Sequence, residues 1–238
     1  YFRTYFCGNV DVVAGRMYYL ESIGGDASAS LADAVKSVVT KREPSKLKAM
    51  DEVLMHLAAY GLLFVVRECL CDMARVKHGE DSPEHASAIR NLASLLKMQG
   101  KLADAEPLYR RALEVLEKKS GNKEPLTVVG ALNDLAELLR AQGKLADAEP
   151  LYRRALARSE YLARPGSGFI YFARWSVAAA QNNLALLLHA QDKLDAAEPL
   201  YRLSLAIVEK RQPNHPNLAT LLGNLGELLQ KQGKLADA

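Results

Sequence analysis

GKLADAEPLYRRAL runs from Gly100 to Leu113 and returns letter for letter from Gly143 to Leu156. A worn copy, DKLDAAEPLYRLSL, spans Asp192 to Leu205, and a fourth begins at Gly233 as GKLADA. Aligned on Gly100, Gly143, Asp192 and Gly233, the copies stand 43, 49 and 41 residues apart. Recurrence at such a period marks a chain built by stacking one supersecondary unit, each copy touching its neighbours. The invariant stretch then reads as scaffold. Variation that distinguishes one copy from the next lies in the segment before it.

That preceding segment has the helical period. Ile89, Leu92, Ala93 and Leu96 recur at i, i+3, i+4 and i+7. The same stripe is Leu132, Leu135, Ala136 and Leu139 in the second copy and Leu184, Ala185 and Leu188 in the third. In the fourth it is Leu222, Leu225, Gly226 and Leu229. A glycine ends the helix, because it adopts the left-handed C-terminal conformation without cost to a side chain. A second helix follows, with Leu102, Ala105, Tyr109, Ala112 and Leu116 on one face. Each unit is therefore an antiparallel helix pair. Alanines mark close approach of the axes, and leucines with a tyrosine fill the wider gaps. Pro107, Pro150 and Pro199 fall near the start of the second helix, where a missing N–H costs less than at mid-helix.

The small–large series Leu92, Ala93, Leu96, Gly100, Ala105, Tyr109 and Ala112 resembles the tetratricopeptide repeat signature. The wording LxNLAxLLxxQGKLxxAEPLYRRAL, with His215-Pro216 in the loop before the next unit, is similar to repeats of the kinesin light chain type and of nephrocystin-3-like arrays. The resemblance covers about residues 82 to 238. It implies an all-α fold of antiparallel helix pairs forming a right-handed α-solenoid. The array divides into units at 82–123, 124–165, 173–212 and 213–238, the last truncated. Residues 45–81 read as a degenerate helix pair and capping repeat, one helix ending at Gly61 and the next at Gly79. Residues 1–44 read as an unassigned helical segment, with stretches at 9–23 and 29–41 and a short strand around Val10 to Val13 as the alternative. The stretch from Ser159 to Val177 breaks the period with RPGSG, then groups Phe169, Tyr171, Phe172 and Trp175. It is either a long connection or helix extension that folds its aromatics onto the array, or an exposed patch for a partner.

Composition excludes several classes. The chain has 238 residues, is 49% hydrophobic and 25% charged, and carries a net charge of +3. That charge is too small to point to nucleic acid or an anionic membrane. No apolar run approaches the roughly 20 residues that span a bilayer. The odd cysteines Cys7, Cys69 and Cys71 read as reduced thiols and favour the cytoplasm. Cys69 and Cys71 lie on opposite sides of a helix and read as core. His56, His78, His85, His189 and His215 show no metal-ligand spacing, and Ser167 lies in a lone glycine turn. Asp104, Glu106, Asp147 and Glu149 recur at identical places and read as solvated helix N-termini. No nucleophile, base and orienter set is present. The expectation is a protein that is not an enzyme, with no catalytic residue, metal or cofactor.

The function then resides on the outer face of the first helices, opposite the leucine stripe. That face holds Arg90, Asn91, Ser94 and Lys97 in the first unit. It holds Asn133, Asp134, Glu137 and Arg140 in the second, then Asn182, Asn183, Leu186 and His189 in the third. Asn224, Glu227 and Lys231 follow in the fourth. The resemblance implies that Asn91, Asn183 and Asn224 hydrogen-bond the backbone of a peptide held in a concave groove, as an amide both donates and accepts. It also implies an adaptor with a protein or peptide partner, kinesin heavy chain among them. Arg90, Lys97, Arg140 and Lys231 are offset by Asp134, Glu137 and Glu227, so the face is mixed in sign. The alternative is a regulatory or sensor repeat region of a larger signalling ATPase or other enzyme.

Overall fold

The computed structural model describes residues 26–56, 60–120, 126–166, 170–211 and 216–234. All regular structure among them is helical. The chain forms two compact units, Tyr1–Lys119 and Ser120–Ala238. The readings at residues 1–25, including Cys7 and the alternative strand, lie outside the described residues.

The first unit contains α1 (Asp26–Lys41), α2 (Pro44–His56), α3 (Tyr60–His78), α4 (Pro83–Met98) and α5 (Leu102–Ser120). Helices α1, α2 and α3 pack on one another, and α3 packs on α4. Their core joins Val35, Val39, Leu47, Leu54, Leu63, Val65, Val66 and Cys69 to Leu95 of α4. Gly61, expected to end a helix, instead sits at the second position of α3. The first-turn N–H groups of a helix need no internal partner, so glycine is tolerated there and the apolar run after it continues the helix. One polar device fastens this core. Arg67 is buried, and its Nε and Nη2 donate to Asp51 Oδ1 and Oδ2 at 2.7 and 3.1 Å. Its Nη1 donates to the backbone oxygen of Asn91 at 2.8 Å. A single guanidinium thereby ties α3 to both α2 and α4, and its planar fork meets the carboxylate with two bonds. Helix α4 starts on Ser82, whose Oγ accepts from the His85 N–H at 3.1 Å, with Pro83 in the first turn.

The second unit contains α6 (Leu126–Ala141), α7 (Leu145–Leu162), α8 (Ile170–Ala190), α9 (Leu194–Arg211) and α10 (Pro216–Lys231). Successive helices pack antiparallel, and α8 also touches both α6 and α10. The first helices of the repeats thus lie side by side. Each second helix buries alanines and one tyrosine: Ala148, Tyr152 and Ala155 on α7, Ala197 and Tyr201 on α9. The leucine stripes of α6 and α8 are buried as expected. On α10 Leu225 and Leu229 are buried, whereas Leu222 is 47% exposed and Leu221 and Leu228 take the inner positions. Ile89 and Leu132, which match Leu222, are buried. Residues 235–238 of the fourth copy lie outside the described residues.

The 49-residue spacing has a physical source. Helix α8 is 21 residues long, against 16 for α4, α6 and α10, and begins at Ile170. Trp175 packs on a cluster of Ala178, Val208 and Leu221, so at this residue the aromatic stretch is a helix extension folded inward. Phe169 and the side chains of Tyr171 and Phe172 lie outside the described residues.

Each turn within a unit closes in the same way. Lys101, Lys144, Lys193 and Lys234 each donate their backbone N–H to the leucine oxygen five residues back, all at 2.9 Å. The residue before each lysine is left-handed, with φ of 75°, 76°, 61° and 75° at Gly100, Gly143, Asp192 and Gly233. The lysine side chains reach farther. Lys193 Nζ meets Glu149 Oε2 at 3.1 Å and Lys234 Nζ meets Glu198 Oε2 at 2.7 Å. Arg153 and Arg202 hold the same two carboxylates from one helical turn away. Gln191 donates to the backbone oxygen of Leu145, and Gln232 to Asp195. Glu149 is therefore not the solvated acid expected from its sequence position. It is a partly shielded acceptor shared between repeats, with a side chain 19% exposed under two cations that stay more than half exposed.

Two outcomes follow from these turns. A Cβ added at Gly143 meets no atom within 4 Å, so only its φ of 76° is strained. Gly143→Ala is expected to cost about 1 kcal/mol in urea unfolding, purely from the left-handed backbone. The arginine and lysine beside Glu149 hold its carboxyl at about 2 instead of the ordinary 4.5. A depressed carboxyl stabilises the fold above its unfolded value and loses that contribution as pH falls toward the folded value. Unfolding midpoints should drop between pH 4.5 and 2, and Glu149→Gln should flatten that drop while costing up to about 1 kcal/mol at neutral pH.

Candidate functional site

The packing of α8 against α6 and α10 makes a face from three first helices. Asn133, Asp134 and Arg140 are half-buried on α6, and Glu137 is exposed. On α8, Asn182, Asn183 and Leu186 are half-buried, whereas His189 is buried at 7% exposure. On α10, Asn224 is half-buried, and Glu227 and Lys231 are exposed. The structure brings two of these amides together: Asn224 Nδ2 donates to Asn182 Oδ1 at 3.3 Å. This bond joins adjacent repeats, and an amide with two donor hydrogens and an acceptor oxygen is not exhausted by it. The remaining predicted residues lie on α4 in the first unit. Asn91 is exposed there, and Arg90, Ser94 and Lys97 are half-buried. The buried Arg67 holds the α4 backbone at Asn91.

Beneath the second unit's face lie groups that the sequence suggested only as core. Tyr152 and Tyr201 have fully enclosed rings, and their hydroxyls feel the charges of the first helices. Burial pushes the Tyr152 phenol up to about 12, with Arg140 opposing and Glu137 adding to the shift. Arg140 also donates a hydrogen bond to it. Burial raises Tyr201 further, Glu227 adds to the rise and Arg140 opposes it. The two tyrosines differ in one respect. Arg140 stands three residues before the turn residue Gly143, and His189 stands at the matching place before Asp192. Where arginine satisfies Tyr152, histidine does not satisfy Tyr201. Tyr201 Oη and His189 Nε2 both lack a hydrogen-bond partner, as do Asn133 Oδ1 and Gln181 Oε1. Buried polar atoms are rarely left so, and such atoms mark places to look for a ligand or an unseen water. A tyrosine carries a polar tip on its apolar ring, and that was the available sequence signal.

Other chemistry is sparse. Cys69 and Cys71 are free, buried thiols on α3, and burial pushes Cys71 up to about 12, far from a reactive thiolate. Among the described residues no group of His, Cys, Asp and Glu is placed to hold a metal, and no helix is long and apolar enough to cross a membrane.

Tetratricopeptide repeat models match residues 70–118 and 176–238, and a second model of the same description matches 128–160. The chain belongs to the tetratricopeptide repeat family. Comparison with curated proteins finds no match. Among solved structures, BtubC from P. vanneervenii superposes with a TM-score of 0.66 at 19% identity, over 96% of this chain and 85% of that one. A Podosopora anserina putative kinesin light chain with nearly identical TPR-like repeats superposes at 0.60 and 20% identity, over 81% and 89%. The fold is accordingly an all-α tetratricopeptide solenoid of the kind seen in kinesin light chain repeats.

The two tyrosines of this tetratricopeptide array give a direct check on the site's geometry. Tyr152→Phe removes a hydrogen bond to Arg140 and should cost about 1 kcal/mol in thermal or urea unfolding. Tyr201→Phe removes a hydroxyl that has no partner and should change stability by less than about 0.5 kcal/mol in either direction. Equal losses in the two variants would show that Tyr201 is bonded in solution.

Proposed function

We propose that the chain is a non-enzymatic protein-interaction scaffold, an adaptor of the kinesin light chain kind. It holds an extended partner peptide against the first helices of its repeats. The observation that supports this reading most is the packing of α8 on both α6 and α10, with half-buried Asn133 on α6, Asn182 and Asn183 on α8 and Asn224 on α10. An extended peptide presents alternating N–H and C=O groups, and an amide row can pair with both. On α4 in the first unit, Asn91 offers the same chemistry with Arg90, Ser94 and Lys97 around it. Half-burial lowers the competition from water that a fully exposed asparagine would meet.

The two units present different charges. Arg90 and Lys97 make the α4 face basic, while Asp134, Glu137 and Glu227 outnumber Arg140 and Lys231 in the second unit. The chain's free, buried thiols fit a reducing compartment, which supports a cytoplasmic place of action.

The test is a peptide-array screen followed by titration of the selected peptides. Asn183→Ala and Asn91→Ala should each weaken binding about three- to tenfold, the worth of one or two hydrogen bonds, with no fall in melting temperature. Binding untouched by both substitutions would overturn the assignment of the face.

A further inference from the structure

Three helix ends of the first unit come together away from the repeats: the end of α1, the start of α2 and the end of α3. One carboxylate joins two of them. Asp72 Oδ2 meets Arg42 Nη2 at 3.1 Å, and Asp72 Oδ1 meets Arg75 Nη2 at 2.6 Å. The cations Lys41, Arg42, Lys46, Lys48, Arg75 and Lys77 gather here against the carboxylates Glu43 and Asp72, an excess larger than the whole chain's net charge of +3. Lys46 takes up Glu43, whereas Lys41, Lys48 and Lys77 are exposed and meet no carboxylate among the described residues. Glu80 and Asp81 follow α3, and Asp81 is held by Arg111 at 2.8 Å. Helix ends account for some of these cations, because a positive charge in the last turn of α1 or α3 offsets the negative end of the helix dipole. They do not account for Lys46 and Lys48, which stand in the opening turns of α2, at the positive end, where the first turn has no acid. Nor do they account for Arg42. It is left-handed, with φ of 48°, whereas the other left-handed residues described are five glycines and Asp192. Glycine would avoid that strain. Local preference is thus broken twice in one short stretch, each time in favour of positive charge, which is how functional positions depart from their fold. Val76 lies between Arg75 and Lys77 and is 70% exposed, more than any other large apolar side chain described.

We propose that this end of the first unit is a second docking surface, apart from the face of the first helices, and that it binds an acidic segment of a partner protein with an apolar residue seated on Val76. It does not depend on the peptide-holding reading of that face. Carboxylates of the segment pair with Lys41, Lys48 and Lys77, and Arg42 and Arg75, already sharing Asp72, add to the field. Each such exposed pair is weak alone, and several acting together steer and hold an acidic chain. The exposed valine supplies what charge does not, a contact that distinguishes one acidic segment from another. Two other polyanions suit the site less well. A single-stranded nucleic acid stacks its bases on aromatic rings, and the exposed aromatic ring described, Tyr161, lies in the second unit. A membrane surface takes up a whole apolar helix face, and one valine does not make one.

The experiment titrates the full chain with a labelled synthetic peptide in which glutamates flank a central leucine, and with its glutamine counterpart, at low and at physiological salt. The glutamate peptide should bind about tenfold or more tighter than the glutamine one, and less tightly as salt rises. Lys41→Glu combined with Lys77→Glu, both at exposed positions, should weaken it about tenfold. Lys118→Glu combined with Lys210→Glu makes the same change in net charge elsewhere on the surface and should alter binding by less than about twofold. Replacing the peptide's leucine by alanine should cost about threefold against the wild-type chain and nothing further against Val76→Asn, which places the apolar residue on that valine. Equal binding of the two peptides overturns the proposal, as does an equal loss in the two double variants. Tighter binding of single-stranded DNA or of phosphatidylserine vesicles than of the glutamate peptide also overturns it and assigns the basic end to that polyanion instead.

Discussion

The left-handed residue before each lysine is the constraint on which the rest of this molecule depends. At Gly100, Gly143, Asp192 and Gly233 the backbone reverses, and the next N–H closes onto the leucine oxygen five residues back. This satisfies carbonyls that a helix end leaves unpaired, and it sets the second helix antiparallel to the first. Lys193 and Lys234, which make this bond in the second unit, also extend their ammonium groups to a glutamate of the preceding repeat. Local reversal and repeat-to-repeat docking are thus coupled through one residue. Asp192 shows the tolerance of the device: a short polar side chain accepts a φ of 61° where its copies use glycine.

With the turns fixed, the packing of each pair needs small residues at the crossing and a large one beside them. Ala148, Tyr152 and Ala155 on α7 are repeated as Ala197 and Tyr201 on α9, all buried. The tyrosine brings a hydroxyl into a place where alanine and leucine bring nothing polar. Each copy must therefore deal with that hydroxyl. Arg140 does so in the second copy, and His189 leaves it open in the third. A scaffold position thereby becomes a source of difference between copies whose second helices are nearly identical in sequence.

The first unit solves its docking problem by another route. Its leading helices lack the repeated turn, and the core of Val35, Leu47, Leu63 and Val66 carries most of the packing. Orientation among α2, α3 and α4 comes from the guanidinium of Arg67, shared between a carboxylate and a main-chain oxygen. A buried arginine so placed sacrifices hydration and returns directionality, because its donors have fixed angles.

The sequence by itself determined the helix pairs, the stripes that face inward and the turn residues, because these depend on spacing along the chain. Ile89, Leu92, Ala93 and Leu96 are buried as their period requires, and Trp175 packs inward from a lengthened helix. It also named the polar row of the first helices as the place to look for a ligand. Only the tertiary structure decided what depends on approach between distant residues. Glu149 is met by Lys193 from the next copy, Arg67 finds Asp51 and the oxygen of Asn91, and Leu222 turns outward while Leu221 and Leu228 turn in. His189 sinks from the row, and Tyr201 carries an unpartnered hydroxyl beneath it. Periodicity states which side of a helix a residue occupies. Whether that side meets a charge, a bond or an empty acceptor is set by residues some 40 positions away, and no local pattern carries that distance.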